Sequence, residues 1–335
     1  SRVYRVPLSN DRPGIFGIAD FDGDSRAEVY LKNMIIAAEN GVILINQTGN
    51  WETEVNSAPV AVDISASSNG LELVVGGSIF GVNNLTNRNI PNSGTLTQID
   101  NLPQYFIKNQ GLTTYSSTSV GDVNQDGNLD VVITGASNSI IGPTTVFFWD
   151  VANGTFDTFQ PANNWLWGTG RVSIADVTGN GLMNLVFATG NLLYTLELDG
   201  SGQLREVWSE AIVDDQSGII GVTPFDFDND GALEIVYRDE GFLTIRDGRD
   251  GSVLQSTVCQ SHTLTEYPII ADVNGDGRTN ICVPCNFSDN TSDFNINDGL
   301  QQQGEGILRI YEASGENWVP TRAVWNQHGY HVVNI

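Results

Sequence analysis

Lysine and arginine are scarce: 15 of them stand against 40 aspartates and glutamates in 335 residues, a formal net charge of −25. A partner built on phosphates needs the opposite sign, so nucleic acid is excluded, and an anionic membrane surface would repel the chain as well. No apolar run is long enough to span a bilayer, so no direct membrane insertion is expected. No segment of useful length carries the helical hydrophobic period. Only three cysteines occur, Cys259, Cys282 and Cys285. The Cys-Val-Pro-Cys spacing has no second Cys pair or His cluster to complete a zinc set, and it lies in a strand pattern rather than at a helix start. Catalytic signatures are missing too: there is no Gly-x-Ser-x-Gly elbow, phosphate-binding glycine loop or zinc-ligand helix. The chain opens on Ser1 without a signal peptide, which reads as a mature or trimmed fragment and leaves targeting open.

What is present is a repeat. Aligned on a first aspartate, the chain reads DFDGDSRAEVYL from Asp20, DVNQDGNLDVVI from Asp122, DFDNDGALEIVY from Asp226 and DVNGDGRTNICV from Asp272. Weaker copies fill the gaps: DVTGNGLMNLVF from Asp176, and DISASSNGLELVV from Asp63, which is one residue longer. An average of about fifty residues separates successive copies. In each unit a short apolar strand precedes the acidic loop and a β-branched strand follows it. A glycine turn and one or two alternating strands complete the unit, with NG, DG, TG and SG as punctuation. Four strands in a repeated fifty-residue unit predict an all-β chain, a β-propeller in which each blade buries its faces against its neighbours. Six units cover roughly residues 14 to 325, and 1–335 reads as one domain of a larger surface protein. The ends, SRVYRVPL and HGYHVVNI, are expected to complete a blade, with 326–335 a closing strand or the start of a following segment. Seven blades are favoured over six.

The loops carry the chemistry. In DVNQDGNLD, oxygen donors fall at positions 1, 3, 5 and 9: Asp122, Asn124, Asp126 and Asp130. Gly127 permits the sharp turn, and the carbonyl of Asn128 offers a fifth ligand. Hard oxygen donors alternating around a glycine turn suit calcium. An EF-hand would need a Glu at position 12 and flanking helices, whereas position 12 is Ile133 and the flanks are strands. Asp20, Asp22, Asp24 and Glu28 make a full set with the Arg26 carbonyl, although Ser25 replaces the turn glycine. Asp226, Asp228, Asp230 and Glu234 make another with the carbonyl of Ala232. Asp272, Asn274, Asp276 and Asn280, with the Arg278 carbonyl, carry fewer charges. About four calcium sites are therefore expected. The Asp176 loop has one carboxylate, and no tight calcium is expected there. The Asp63 loop reads as a hydrogen-bonded turn.

These motifs resemble the FG-GAP (VCBS-type) repeats of integrin α-subunit propellers and of many bacterial surface proteins. The resemblance implies a propeller with structural calcium between the first and second strands of a blade, and a ligand on the opposite face. The ending WVPTRAVWNQHGYHVVNI resembles a segment that follows such propellers in large surface proteins of Bacteroidota exported by the type IX route.

On the expected ligand face lie QPANNWLWGTG, VDDQSG, CQSHTLTEY, the region around GGSIFGVNNLTN and the insert CNFSDNTSDFNINDGLQQQGEG. Trp165 and Trp167, flanked by Asn, suit stacking on sugar rings or an interface, and the alternative is that they plug a gap between blades. His262 and Glu266 are the polar candidates nearby. Cys282 occupies a strand position that is apolar in most other repeats and is expected to be buried. Cys259 and Cys285 fall on one face, so a Cys259–Cys285 disulfide is expected in an oxidising compartment. The function this predicts is not enzymatic. It is an extracellular, cell-surface binding or adhesion module that recognises glycan or protein and is joined to other modules of the same polypeptide. The alternatives are a structural spacer and a polysaccharide-active lyase or hydrolase.

Overall fold

The computed structural model describes residues 16–31, 34–46, 58–65, 70–102, 116–136, 144–162, 169–214, 218–261, 267–286, 306–314 and 318–323. Among them there is no helix, and the strands form six antiparallel sheets. The first sheet is β1 (Phe16–Ala19), β2 (Glu28–Leu31), β3 (Met34–Ala37) and β4 (Ile43–Asn46). The second is β5 (Val60–Val62), β6 (Glu72–Val75), β7 (Ser78–Asn83) and β8 (Thr95–Asn101). The third is β9 (Ser116–Gly121), β10 (Asp130–Ala136), β11 (Thr144–Asp150) and β12 (Thr155–Phe159). The fourth is β13 (Ser173–Ala175), β14 (Asn184–Thr189), β15 (Leu192–Leu198) and β16 (Leu204–Ala211). The fifth is β17 (Val222–Phe225), β18 (Glu234–Arg238), β19 (Phe242–Arg246) and β20 (Val253–Val258). The sixth has three strands, β21 (Ile269–Ala271), β22 (Asn280–Asn286) and β23 (Gly306–Tyr311).

Strand order within every sheet follows the chain, so each is a meander of one repeat, and every acidic loop joins a first strand to a second. First strands pack in succession, β1 on β5, β5 on β9, and so on to β21. Alternation along the second strand then serves two interfaces. Leu185 of β14 faces back into a cluster with Val132 and Phe148, while Val186 faces forward into one with Val222 and Ile235. Five such apolar clusters each join two successive sheets. These are propeller-like blades, each too thin to bury its own faces. A seventh sheet is not among the described residues, and the terminal stretches expected to complete one lie outside them.

Hydroxyls staple the middle of the stack. Ser119, Ser173 and Thr223, each three residues before a loop aspartate, donate to the carbonyls of Val172, Val222 and Pro268 on the next sheet at 2.6 to 2.7 Å. In the first sheet Gly17 holds that position, and a Cβ there would sit 2.3 Å from the Tyr30 ring. The space admits Tyr30, whose hydroxyl accepts the Ala61 N–H of the second sheet at 3.3 Å.

A disulfide joins Cys259 to Cys285, as expected, and ties the end of the fifth sheet to β22. Cys282 departs from expectation: it is only half-buried, because its face of β22 looks away from the fifth sheet. The GGSIFGVNNLTN stretch is likewise divided. Only its Gly76–Gly77 turn lies between second and third strands. The chain beyond β7 returns to the acidic-loop side, where Arg88 meets Glu28.

Candidate metal loops

Five loops share one hydrogen-bonded frame. The position-1 carboxylates of Asp20, Asp122, Asp176, Asp226 and Asp272 accept the amides of positions 5 and 6 at 2.8 to 3.2 Å. The position-5 side chains accept the amide of position 7 at 2.8 to 3.0 Å. Closing such a turn takes left-handed backbone at positions 4 and 6. Position 6 is Gly127, Gly181, Gly231 or Gly277, and in the first loop Ser25 at φ 66°. Position 4 is a glycine in three loops, but Gln125 and Asn229 hold φ 60° and 61°. An L side chain is disfavoured there.

Position 9 begins the second strand and is buried in all six sheets: Glu28, Glu72, Asp130, Asn184, Glu234 and Asn280. Each accepts the amide of the residue after the first aspartate at 2.8 to 3.1 Å. Glu72 was not identified from the sequence, because its loop is one residue longer. Its anchoring of Ile64 and Ser65 reveals the equivalence.

The frame converges carboxylates in two places among the described residues. One oxygen from each of Asp20, Asp22 and Glu28 lies within 4.8 Å of the others, and so do those of Asp226, Asp228 and Glu234. Burial pushes Glu234 up to about 7, with the Asp228 and Asp226 charges adding to it. Glu28 is also raised by burial. In the third loop burial pushes Asp130 up to about 7, reinforced by Asp150 and Asp126, and its Oδ1 is buried without a hydrogen-bond partner. Glu234 and Asp130, which no arginine among the described residues meets, are short of positive charge. An oxygen-only donor set with an orphaned carboxylate oxygen fits a hard divalent cation. Two acidic clusters could therefore hold a metal ion, by Asp20, Asp22 and Glu28 and by Asp226, Asp228 and Glu234.

Arginine competes for some of these oxygens. Arg88, buried and contributed by the second sheet, pairs with Glu28 and with Glu39 at 2.6 Å, and lies 3.8 Å from Asp24. Arg26 holds Asp24, and Arg249 holds Asp230 at 2.5 Å. Each lowers its aspartate's pKa through that hydrogen bond. The position-5 aspartates are not among the converging carboxylates of either cluster.

A carboxylate from the end of the third strand serves the Asn-bearing loops. Asp150 accepts the Asn124 amide at 3.2 Å and Glu312 accepts that of Asn274 at 3.3 Å. In the fourth sheet Glu197 accepts both Asn180 and Asn184 at 3.3 Å. These acids fall outside the loop motif, and their only sequence signal is a charge ending an apolar strand. Trp165, Trp167, His262 and Glu266 lie outside the described residues.

The family model "FG-GAP-like repeat" matches residues 176–237, which run from the fourth loop to the second strand of the fifth sheet. No curated protein matches the chain. Among solved structures, the biofilm matrix protein Bap1 of V. cholerae is similar at 17% identity, over 94% of this chain and 71% of that one, with TM-score 0.57. An Agrocybe aegerita lectin that recognises non-reducing terminal N-acetylglucosamine matches at 15% identity, over 83% and 74%, with TM-score 0.42. The first of these likenesses supports the repeated β fold.

Proposed function

We propose that the chain is an extracellular, calcium-stabilised β-propeller that acts as a binding or adhesion module, with glycan or protein bound on the face opposite the acidic loops. The observation that carries it is the convergence of Asp226, Asp228 and Glu234, three acids brought together around a buried carboxylate that a plain turn would not need. Calcium occupies the Asp20, Asp122, Asp226 and Asp272 loops and holds first and second strands together. The Cys259–Cys285 disulfide fits a non-cytoplasmic setting. No helix among the described residues is long and apolar enough to cross a membrane. The fold shared with a biofilm matrix protein agrees with a role in surface attachment. Trp165 and Trp167 are the stacking candidates of this reading, and His262 and Glu266 its polar candidates. The module acts without catalysis and belongs to a larger surface polypeptide exported by the type IX route.

A glycan array read in calcium and in chelator, with melting recorded alongside, tests this reading. Calcium-dependent binding of a defined sugar class, lost in Trp165→Ala or Trp167→Ala, is the expected outcome. Absence of glycan binding with a calcium-raised melting point would transfer recognition to protein partners. A melt indifferent to calcium would overturn the metal.

A further inference from the structure

The third loop is short of donors by itself. Asp122, Asn124, Asp126, Asp130 and the Asn128 carbonyl make five, whereas calcium takes six to eight oxygens. It is also short of charge. Position 3 is Asp22 in the first loop and Asp228 in the fifth, but Asn124 here, which leaves three carboxylates against four. One oxygen is meanwhile unused. Asp130 is 0% exposed, its Oδ2 accepts the Val123 and Asn124 amides at 2.9 and 3.3 Å, and its Oδ1 is buried with no partner. A carboxylate oxygen left dry in this way is costly unless positive charge meets it.

Outside the loop, Asp150 brings a further carboxylate to the same place. It ends β11 one step beyond the Val131–Trp149 pair, opposite Asp130 at the start of β10. It is 6% exposed. Burial raises Asp130, and the Asp150 charge adds to it. Two asparagines orient it. The side-chain amides of Asn124 and Asn153 donate to Oδ2 at 3.2 and 2.8 Å, and the Asn153 backbone amide donates to Oδ1 at 2.9 Å. The Asn153 side chain also reaches Asp126 at 3.4 Å. The other sheets tie this placement to the chemistry of the loop. Where position 3 is asparagine, an acid stands here and accepts its amide, Asp150 for Asn124 and Glu312 for Asn274. Where position 3 is aspartate, the equivalent residue is Ala37, or Asp247, whose oxygens accept the amide and guanidinium of Arg249. In the fourth sheet the equivalent, Glu197, pairs with Asn184 and takes its side-chain amide, so position 9 is satisfied. The third sheet sets acid against acid at that pair.

We infer that Asp150 is a ligand of the third cation site, a carboxylate that the third strand adds to the donors of the 122–130 loop. This rests on the calcium reading of that loop. Asp150 brings the donors to six and the carboxylates to four, the count of the first and fifth loops, and so stands in for the aspartate missing at position 3. A divalent cation there offsets the repulsion of two carboxylates set against each other at the ends of β10 and β11.

Hydrogen exchange of 122–130, followed as free calcium is raised from chelator, gives the concentration at which this loop becomes protected, with 226–234 as internal control. Asp150→Asn keeps an oxygen for the Asn153 amide and removes the charge. It is expected to move the 122–130 midpoint to at least roughly tenfold higher calcium and to leave that of 226–234 in place. A midpoint that does not move overturns the assignment alone. So does a melting point lowered equally in calcium and in chelator with the midpoint unmoved, which would mean that Asp150 only closes the turn between β11 and β12. If 122–130 ignores calcium in the parent chain, the calcium reading of this loop fails and the assignment with it. Should Asp150→Asn fail to fold, Asp130→Asn decides. It sets an amide against Asp150, as Asn184 is set against Glu197, and should raise the melting point in chelator by roughly 2 °C or more. An unchanged or lower melt overturns the assignment.

Discussion

The fourth and fifth sheets carry nearly superimposable loop frames and opposite chemistry. Asp176 and Asp226 each accept the amides of positions 5 and 6. Asn184 and Glu234 each anchor the amide after the first aspartate. The frames part at the centre. In the fourth loop the amides of Asn180 and Asn184 converge on Glu197, so donors and acceptor balance inside the protein. In the fifth, Glu234 faces Asp226 and Asp228, and burial with those charges pushes it up to about 7. One loop is complete by itself; the other could hold a cation. The same acidic motif thus closes both turns, and in the second it also brings carboxylates together.

Removing calcium should break this comparison most visibly. Each site saturated at 100 times its dissociation constant adds about 2.7 kcal/mol to folding stability, so chelation is expected to lower the melting point sharply. Hydrogen exchange should then rise in 226–234 and stay unchanged in 176–184, and equal loss in both loops would end the distinction. Next in size is Arg88→Met, which strands Glu28 in a buried site. It should cost about 3 kcal/mol in chelator and appreciably less in calcium, as read by denaturant melts in the two conditions. Asn184→Asp sharpens the contrast, because a new carboxylate would face Glu197. A loss of about 2 kcal/mol in chelator that calcium restores is expected, and terbium luminescence would report the gained site. Calcium affinity at the fifth loop should also fall as pH drops from about 8 to about 6. Glu234 is raised to about 7 and takes up a proton in that window, which competes with the metal. Isothermal titration in Glu234→Gln should lose that pH dependence. Ser25→Gly is the smallest effect. It relieves a left-handed serine at φ 66° and should stabilise by about 1 kcal/mol, seen as a small rise in the denaturant midpoint.

Much of this was legible along the chain. The Asp, Asn and Gly spacing of 122–130 predicts a tight turn with oxygen donors inside, and strand alternation on either side predicts a sheet that packs on two faces. Position 5 carries a second tie that the spacing does not announce. Asp24 and Asp230 pair with Arg26 and Arg249, contacts that depend on where two flexible guanidiniums reach. Glu72, Glu197 and Arg88 were illegible for a related reason. One sits in a loop of different length, one on a third strand, and one on a neighbouring sheet, so no local period contains them.

The sequence by itself determined the repeat, the strand-loop-strand unit and the residues that close each turn, because all of these follow from short-range spacing. Tertiary structure alone decided which loops converge carboxylates, and that Arg88 reaches one of them while Glu197 satisfies the Asn-bearing fourth loop. Those outcomes depend on side chains arriving from other strands and other sheets. Burial then turns a common motif into either a hydrogen-bonded turn or a site short of positive charge.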